Sequence, residues 1–371
     1  MNFNKARVFA SLVWLLLSLQ LPAGQLDIWA SQTSGTTNDF YAVAYGKGTF
    51  VAVGTNGLLS SSIDGTSWMP QASGTTNDLE GVTYGGGLFV AMGANGSTRT
   101  STNGINWVGY LSGFNSAFHA ITFGNGRYVA VGFGGAVFIS ATATNWTQMN
   151  SATTNSLQAV IWANGRYVAS GSLGTIVTSP DGTNWASQVS GSAIALHTLA
   201  YGAGNYVVAG YTGELLTSPD CMTWTKQDSG TTNSLRGAIY TNGNFVVTGF
   251  RGTIISSPDG TNWTARSSGV TDALRDIAYG ANTFVAVGHK GRILRTTPLV
   301  APTIRNMNRS GSIAGFEFDT VSGLDYSIEY KVNLNAPAWT LLTPISGTGG
   351  PYTANDPTAT NATRFYRVGV R

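Results

Sequence analysis

Seven positions spaced 39 residues apart carry a set of unlike side chains: Tyr41, Glu80, His119, Gln158, His197, Arg236 and Arg275. Arg236 or Arg275 could neutralise a carboxylate, and His119, His197 or Tyr41 could exchange protons. That equipment suits elimination from a uronate by a polysaccharide lyase. Glycoside hydrolysis needs a pair of carboxylates, and Glu80 is the only one among the seven. Asp276 and Glu214 are the conceivable partners, although Asp276 follows Arg275 directly and is expected to face a neighbouring sheet. A second stretch also invites a chemical reading. SPDGTNW stands at 179–185 and again at 257–263, with the look of a calcium loop or an acidic site.

Metal and cofactor chemistry find less support. There is no HExxH, and His119 and His197 lie two repeat units apart, a wide separation for one ion. Cys221 is the only cysteine, which excludes disulfides and a cysteine-based metal site. Glycine-rich stretches such as Gly85–Gly87 recur between short apolar runs with no helix pattern after them, so they read as hairpin turns rather than phosphate loops. No metal and no cofactor are expected.

The elements that position these residues follow from an internal period. Trp29, Trp68, Trp107, Trp146, Trp185, Trp224 and Trp263 are each 39 residues apart. Other features share their phase: SGTTN at 34–38, 73–77 and 229–233, SATTN at 151–155, then apolar runs such as 50–54 ending in Gly. Each unit offers four short runs rich in β-branched and aromatic residues, separated by Gly, Asn and Asp turns. One such sheet cannot bury both faces alone, and about 40 residues with four strands reads as a propeller blade. The expected fold is all-β: a seven-bladed β-propeller over residues 25–299. The seventh unit ends before its Trp, so the strand containing Trp29 is expected to complete it and close the ring, removing exposed sheet edges.

The SxDGxxW turn resembles a shortened Asp-box, the bacterial neuraminidase repeat. The blades over roughly residues 27–299 resemble propellers of the superfamily of photosystem II assembly factors and neuraminidase repeats. The resemblance implies a turn between the third and outermost strands, in which the Asp accepts backbone hydrogen bonds and the Trp packs between blades. Such a role is structural. The motif Asp is present as Asp64, Asp181, Asp220 and Asp259 but is replaced by Asn103 and Thr142. Those residues can serve the same local bonds, whereas a metal or acid site would not survive such grading. Cys221, in place of the motif Gly, reads as a turn residue. The superfamily includes glycosidases, lyases and non-enzymatic assembly factors, so fold alone does not assign a function. No Arg-Ile-Pro sequence is present, and sialidases have six blades, so no sialidase residues carry over.

Function is better sought on the face opposite the SxDG turns. There the seven unlike residues begin the innermost strands and should ring the channel mouth. The turns between strands two and three on the same face read Thr55-Asn56, Ala94-Asn95, Phe133-Gly134, Ser172-Leu173, Tyr211-Thr212, Phe250-Arg251 and His289-Lys290. The candidate ligand-binding set is therefore the seven ring residues with Phe133, Tyr211, Phe250, Arg251 and His289. Arginine suits carboxylate or sulfate, and aromatic rings suit sugars.

Lys5 and Arg7, the apolar run 8–21 and Pro22-Ala23-Gly24 read as a signal peptide over residues 1–24, implying a secreted or periplasmic protein, with bacterial origin suggested by export without disulfides. The run is short for a membrane span, and nothing later resembles one. From Gln25 to Leu299 there are twelve basic and twelve acidic residues, a balance that gives no electrostatic footing for nucleic acid. Residues 300–371 leave the period. Their stretches YSIEYKVNLNAPAWTLL and RFYRV resemble fibronectin type III-like modules, which implies a small C-terminal β-sandwich. The expectation is a monomeric, non-catalytic binding module whose partner is a glycan or an extracellular protein, glycan being favoured. The alternatives are a polysaccharide lyase or glycoside hydrolase using the same face, and a protein-assembly scaffold.

Overall fold

A computed structural model describes residues 25–111, 113–297, 302–310, 313–321, 324–333, 338–359 and 364–370. The signal peptide expected over residues 1–24 lies outside the described residues. Seven four-stranded antiparallel sheets follow one another along the chain. Sheet 1 consists of Phe40–Gly46, Thr49–Gly54, Leu59–Ser62 and Met69–Pro70 in that order. The first strands of sheets 2 to 6 are Leu79–Gly85, Phe118–Gly124, Leu157–Ala163, Leu196–Gly202 and Leu235–Thr241. Sheet 7 begins with Leu274–Gly280 and takes its fourth strand, Trp29–Gln32, from the other end of the repeat array. Trp29 pairs with Thr296 and Gln32 with Ile293. The Gln25 side chain reinforces this seam by donating to the carbonyls of Asn282 and Thr297 at 3.0 and 2.9 Å.

The sheets bury one another. The second strand of each is covered on both faces, as Phe50, Val51, Ala52 and Val53 are, and each buried Phe or Val contributes about 1.5–3 kcal/mol. Each pair of neighbouring sheets shares a buried cluster. Sheets 3 and 4 meet through Val129, Val131, Val137, Leu157, Tyr167, Val177 and Trp185. Sheets 7 and 1 meet in the same manner through Val285, Val287, Ile293, Phe40, Phe50 and Trp68.

SPDGTNW is a structural turn. The Asp181 carboxylate accepts from the amides of Thr183 and Asn184 at 2.8 and 3.0 Å, while the Ser179 hydroxyl accepts from Gly182 at 2.8 Å. The Thr183 hydroxyl and these amides hold Asp181 below the usual carboxylate range. Asn103 accepts from the amides of Ile105 and Asn106, both at 3.0 Å. Every repeat Trp donates its indole N–H to the carbonyl three residues earlier, from Trp29 to Leu26 through Trp263 to Gly260. These donors are thereby satisfied while the rings pack between sheets. Side chains of the first turns reach the SxDG turns of nearby units, as Arg166 does to the Asp220 carbonyl and Asn205 to that of Asp259. Both sets of turns therefore share one face.

Beyond the repeats, two three-stranded antiparallel sheets form from 305–310, 313–319 and 351–356, and from 325–331, 340–346 and 365–370. Phe316, Phe318, Tyr326, Ile328 and Ala354 from these sheets belong to one buried cluster with Leu26, Leu274 and Phe284. Among the described residues no helix is long and apolar enough to cross a membrane.

Candidate functional site

All seven ring residues line one cavity of about 310 Å³. A β-bulge puts them there. In sheet 5, Leu196 pairs with Gly210 and Thr198 with Ala209, leaving His197 unpaired between them. The same slip leaves Tyr41, Glu80, His119, Gln158, Arg236 and Arg275 unpaired in their own strands. A bulge re-aims the extra residue and bends the strand, so a repeated bulge presents one freely variable side chain per sheet.

The glycine opposite each bulge makes this close turn possible. A Cβ at Gly210 would stand 2.0 Å from the Ala195 carbonyl oxygen and 3.0 Å from the Leu196 Cα. The backbone angle at Gly210 is an extended one that any residue adopts, so the requirement is for space. Gly210→Ala should destabilise the protein by about 3 kcal/mol, the upper range for overpacking, and should shift the His197 ring resonances. A denaturant midpoint equal to that of the wild type would contradict this.

The cavity divides by charge. His119 Nδ1 lies 2.7 Å from Glu80 Oε2, so the acid and one histidine occupy each other. Across sheets 5 to 7 the groups are basic. Arg236 Nη1 is 3.1 Å from His197 Nδ1, and its guanidinium stacks on Tyr211 at 4.8 Å and Phe250 at 4.9 Å. Arg275 stacks on Tyr41 at 4.8 Å. Burial, then Arg236 and Arg275, push the His197 pKa down to about 3. Burial raises the Tyr41 hydroxyl, with a further contribution from Asp78.

Asp276 also lines the cavity, but its carboxylate is tied down. It accepts from the Val43 amide of sheet 1 at 2.9 Å and from the Ile277 amide at 2.8 Å. Burial raises its pKa to about 7 against the pull of those two amides. The expectation that Asp276 meets a neighbouring sheet agrees with this geometry. Glu214, the other conceivable partner carboxylate, is corrected: it is buried against Lys226 at 2.7 Å and does not line the cavity. It caps the second turn and precedes the third strand, Leu215–Ser218, and so does not belong to the bulged first strand.

The turn residues fall into two groups, and none of them lines the cavity itself. Tyr211, Phe250 and His289 reach the ring indirectly: Tyr211 packs edge-on to His197 at 4.3 Å and Phe250 lies 5.8 Å from His289. His289 Nε2 is 3.8 Å from Asp39 Oδ2. Arg251 instead borders a separate groove with Thr231 and Thr271. Phe133 projects with 69% of its surface exposed. The candidate set lacked Leu173, which is 68% exposed on the adjacent turn with a left-handed backbone, φ 55°. The available signal was a leucine where the other units have Asn, Gly, Thr, Arg or Lys. Among the described residues no group of three or more His, Cys, Asp and Glu side chains could hold a metal ion.

No family model and no curated protein matches the sequence. Solved structures do match in three dimensions. YCF48 bound to D1 peptide has a TM-score of 0.61 at 19% identity, covering 72% of this chain and 96% of that one. YCF48 from Cyanidioschyzon merolae gives 0.60 at 18%, covering 72% and 98%. The WD40 β-propeller domain of Doa1 gives 0.56 at 12%, covering 73% and 96%. The likeness spans different sequences with one architecture, and the chain has the β-propeller fold.

Proposed function

We propose that this protein is a non-catalytic binding module that takes a segment of another protein at the ring mouth. The carrying observation is an arc of exposed apolar side chains on the turns of three consecutive sheets, Phe133, Leu173 and Tyr211, the last 42% exposed. Exposed apolar side chains grouped beside a cavity are what a binding surface presents, and they support this reading. Leu173 is kept there in a left-handed conformation that costs a leucine about 1 kcal/mol. The similar YCF48 structure, solved with a peptide, supports polypeptide as the ligand class. Leu173→Asn should therefore raise stability by about 1 kcal/mol while weakening partner binding, measured by denaturation and by binding on one preparation.

Catalysis finds little support in the same residues. A lyase needs a base, yet of the three candidates the Tyr41 hydroxyl is harder to ionise than usual, His197 is a much weaker base than usual, and His119 is engaged by Glu80. A hydrolase needs two carboxylates, yet Glu80 is engaged by His119 and Asp276 by two amides. A glycan remains the second reading, favoured by the exposed faces of Phe133 and Tyr211, although Leu173 offers no ring to a sugar.

We further assign the seven sheets to seven blades of a ring closed by Trp29–Gln32, with Asp-box turns, and residues 300–371 to a fibronectin type III-like module. Export after removal of residues 1–24 and a monomeric state complete the proposal. The test is selection of a displayed random peptide library on the protein, beside a panel of acidic and neutral polysaccharides with new reducing or unsaturated ends followed. Enriched peptides that lose binding to a Phe133→Ser, Leu173→Asn, Tyr211→Ser triple variant would bear the proposal out. No enrichment, or binding indifferent to the triple variant, would overturn it, and new ends would restore an enzyme.

A further inference from the structure

The basic half of the cavity holds hydrogen-bond donors without acceptors. A guanidinium only donates, so in the 3.1 Å contact with Arg236 it is His197 Nδ1 that accepts. The proton of the neutral ring therefore sits on Nε2. That Nε2 is buried with no partner, and so is Arg236 Nε. Arg236 and Arg275 both line the cavity, and among the described residues neither has a carboxylate within ion-pair distance. Burying a donor without an acceptor, or a charge without a counter-charge, is costly unless a ligand supplies what is missing.

We propose that Arg236, Arg275 and His197 form a receiving site for one carboxylate group of a polypeptide, either its C terminus or an acidic side chain. This deepens the proposed function and rests on it for the polypeptide source. One carboxylate suits the charge: Glu80 is engaged by His119 and Asp276 by two backbone amides, so neither pairs with the two cavity arginines, and a single added negative charge offsets part of theirs. The match extends to the donors. A carboxylate has two acceptor oxygens, suited to a guanidinium and a neutral imidazole N–H. Tyr211 and Phe250 stack on Arg236 and hold its plane, and Tyr41 does so for Arg275, which limits the ordering cost on binding. Tyr211 belongs both to this support and to the exposed arc, so a chain whose carboxylate is held here can continue onto Leu173 and Phe133.

The experiment titrates the full-length mature chain with sodium acetate, following the His197 Nε2–H resonance by nitrogen-edited NMR. A saturable shift is expected, with affinity at least tenfold lower in Arg236→Gln and in Arg275→Gln. Those variants are first checked for a wild-type melting curve, and the wild-type titration stands if either fails to fold. No saturable shift at about 0.1 M acetate, a range where even very weak sites fill, would overturn the site. Sulfate binding more tightly than acetate would overturn the single-carboxylate assignment. Acetyl-Ala-Ala-Leu with a free terminus, its amide, and acetyl-Ala-Glu-Leu amide then identify the source. Preference for the free acid supports a chain end, and binding of the Glu peptide supports a side chain. Galacturonate binding with no response to any peptide would overturn the polypeptide source. Acetate binding that survives failure of the library selection would leave the carboxylate site standing while removing the proposed docking role.

Discussion

Trp185→Ala should lower stability by about 3–5 kcal/mol, the range for deleting a large buried aromatic. The Trp185 ring is only 9% exposed and belongs to the cluster that joins sheets 3 and 4, lying 6.3 Å from the Tyr167 ring. Its indole N–H donates to the Gly182 carbonyl at 2.8 Å, so truncation also strips that carbonyl of its partner. Trp185→Phe should recover most of the packing but not the hydrogen bond, giving an intermediate loss. Asp181→Ala, by contrast, acts at an exposed turn and should cost far less than Trp185→Ala. Chemical denaturation of the three variants orders these effects. A loss for Asp181→Ala equal to that of Trp185→Ala would contradict a turn whose work is done by the packed ring.

The second large effect is a pair of opposed pH dependences centred on the cavity. Asp276 has its pKa raised from 3.8 to about 7 by burial. Between those values the folded state holds a proton that the unfolded state has released, so its contribution to stability falls as pH rises. His197 is shifted the other way, from 6.5 to about 3, by burial and then by Arg236, Arg275 and His119. Between those values the unfolded state holds the extra proton, so the His197 contribution rises with pH. Each slope is about 1.4 kcal/mol per pH unit. Over three units each amounts to something on the order of 4 kcal/mol.

In the wild type the two slopes nearly cancel through the weakly acidic range. Single variants uncover them. The stability of Asp276→Asn relative to wild type should climb from pH 4 to pH 7, because the falling contribution has been removed. That of His197→Gln relative to wild type should drop from about pH 3 to pH 6.5. Taking differences removes the other carboxylates, such as Asp181 and Asp259, which titrate alike in all three proteins. Flat difference curves would show that neither group is held in its neutral form by the fold.

Much of this architecture was legible in the sequence because it repeats. A tryptophan every 39 residues is a covalent regularity, and the strand and turn chemistry inside each unit is local. The position of Tyr41, Glu80, His119, Gln158, His197, Arg236 and Arg275 could be read by comparing units: it is the one polar site that differs among otherwise similar neighbours. The structural role of SPDGTNW could be read in the same manner, because its hydrogen bonds lie within a few residues of one another. The strand from Trp29 to Gln32 was expected beside the seventh unit because one unit lacked a fourth strand and one strand lacked a unit, and it pairs there.

What individual ring members do was not legible. Glu80 with His119 and His197 with Arg236 are partners 39 residues apart, and Asp276 reaches Val43 across 233 residues. The exclusion of Glu214 and the inclusion of Asp276 likewise depend on which side chains a bulged strand directs into the cavity. The sequence by itself determined the period, the strands, the Trp-anchored turns and the identity of the varied position in each unit. Only the tertiary structure decided which of those side chains engage one another, which donors remain unpaired, and how far burial moves their proton equilibria. The physical reason is that repeat spacing and turn chemistry act along the chain, whereas electrostatics and desolvation act through space and depend on neighbours that packing alone brings together.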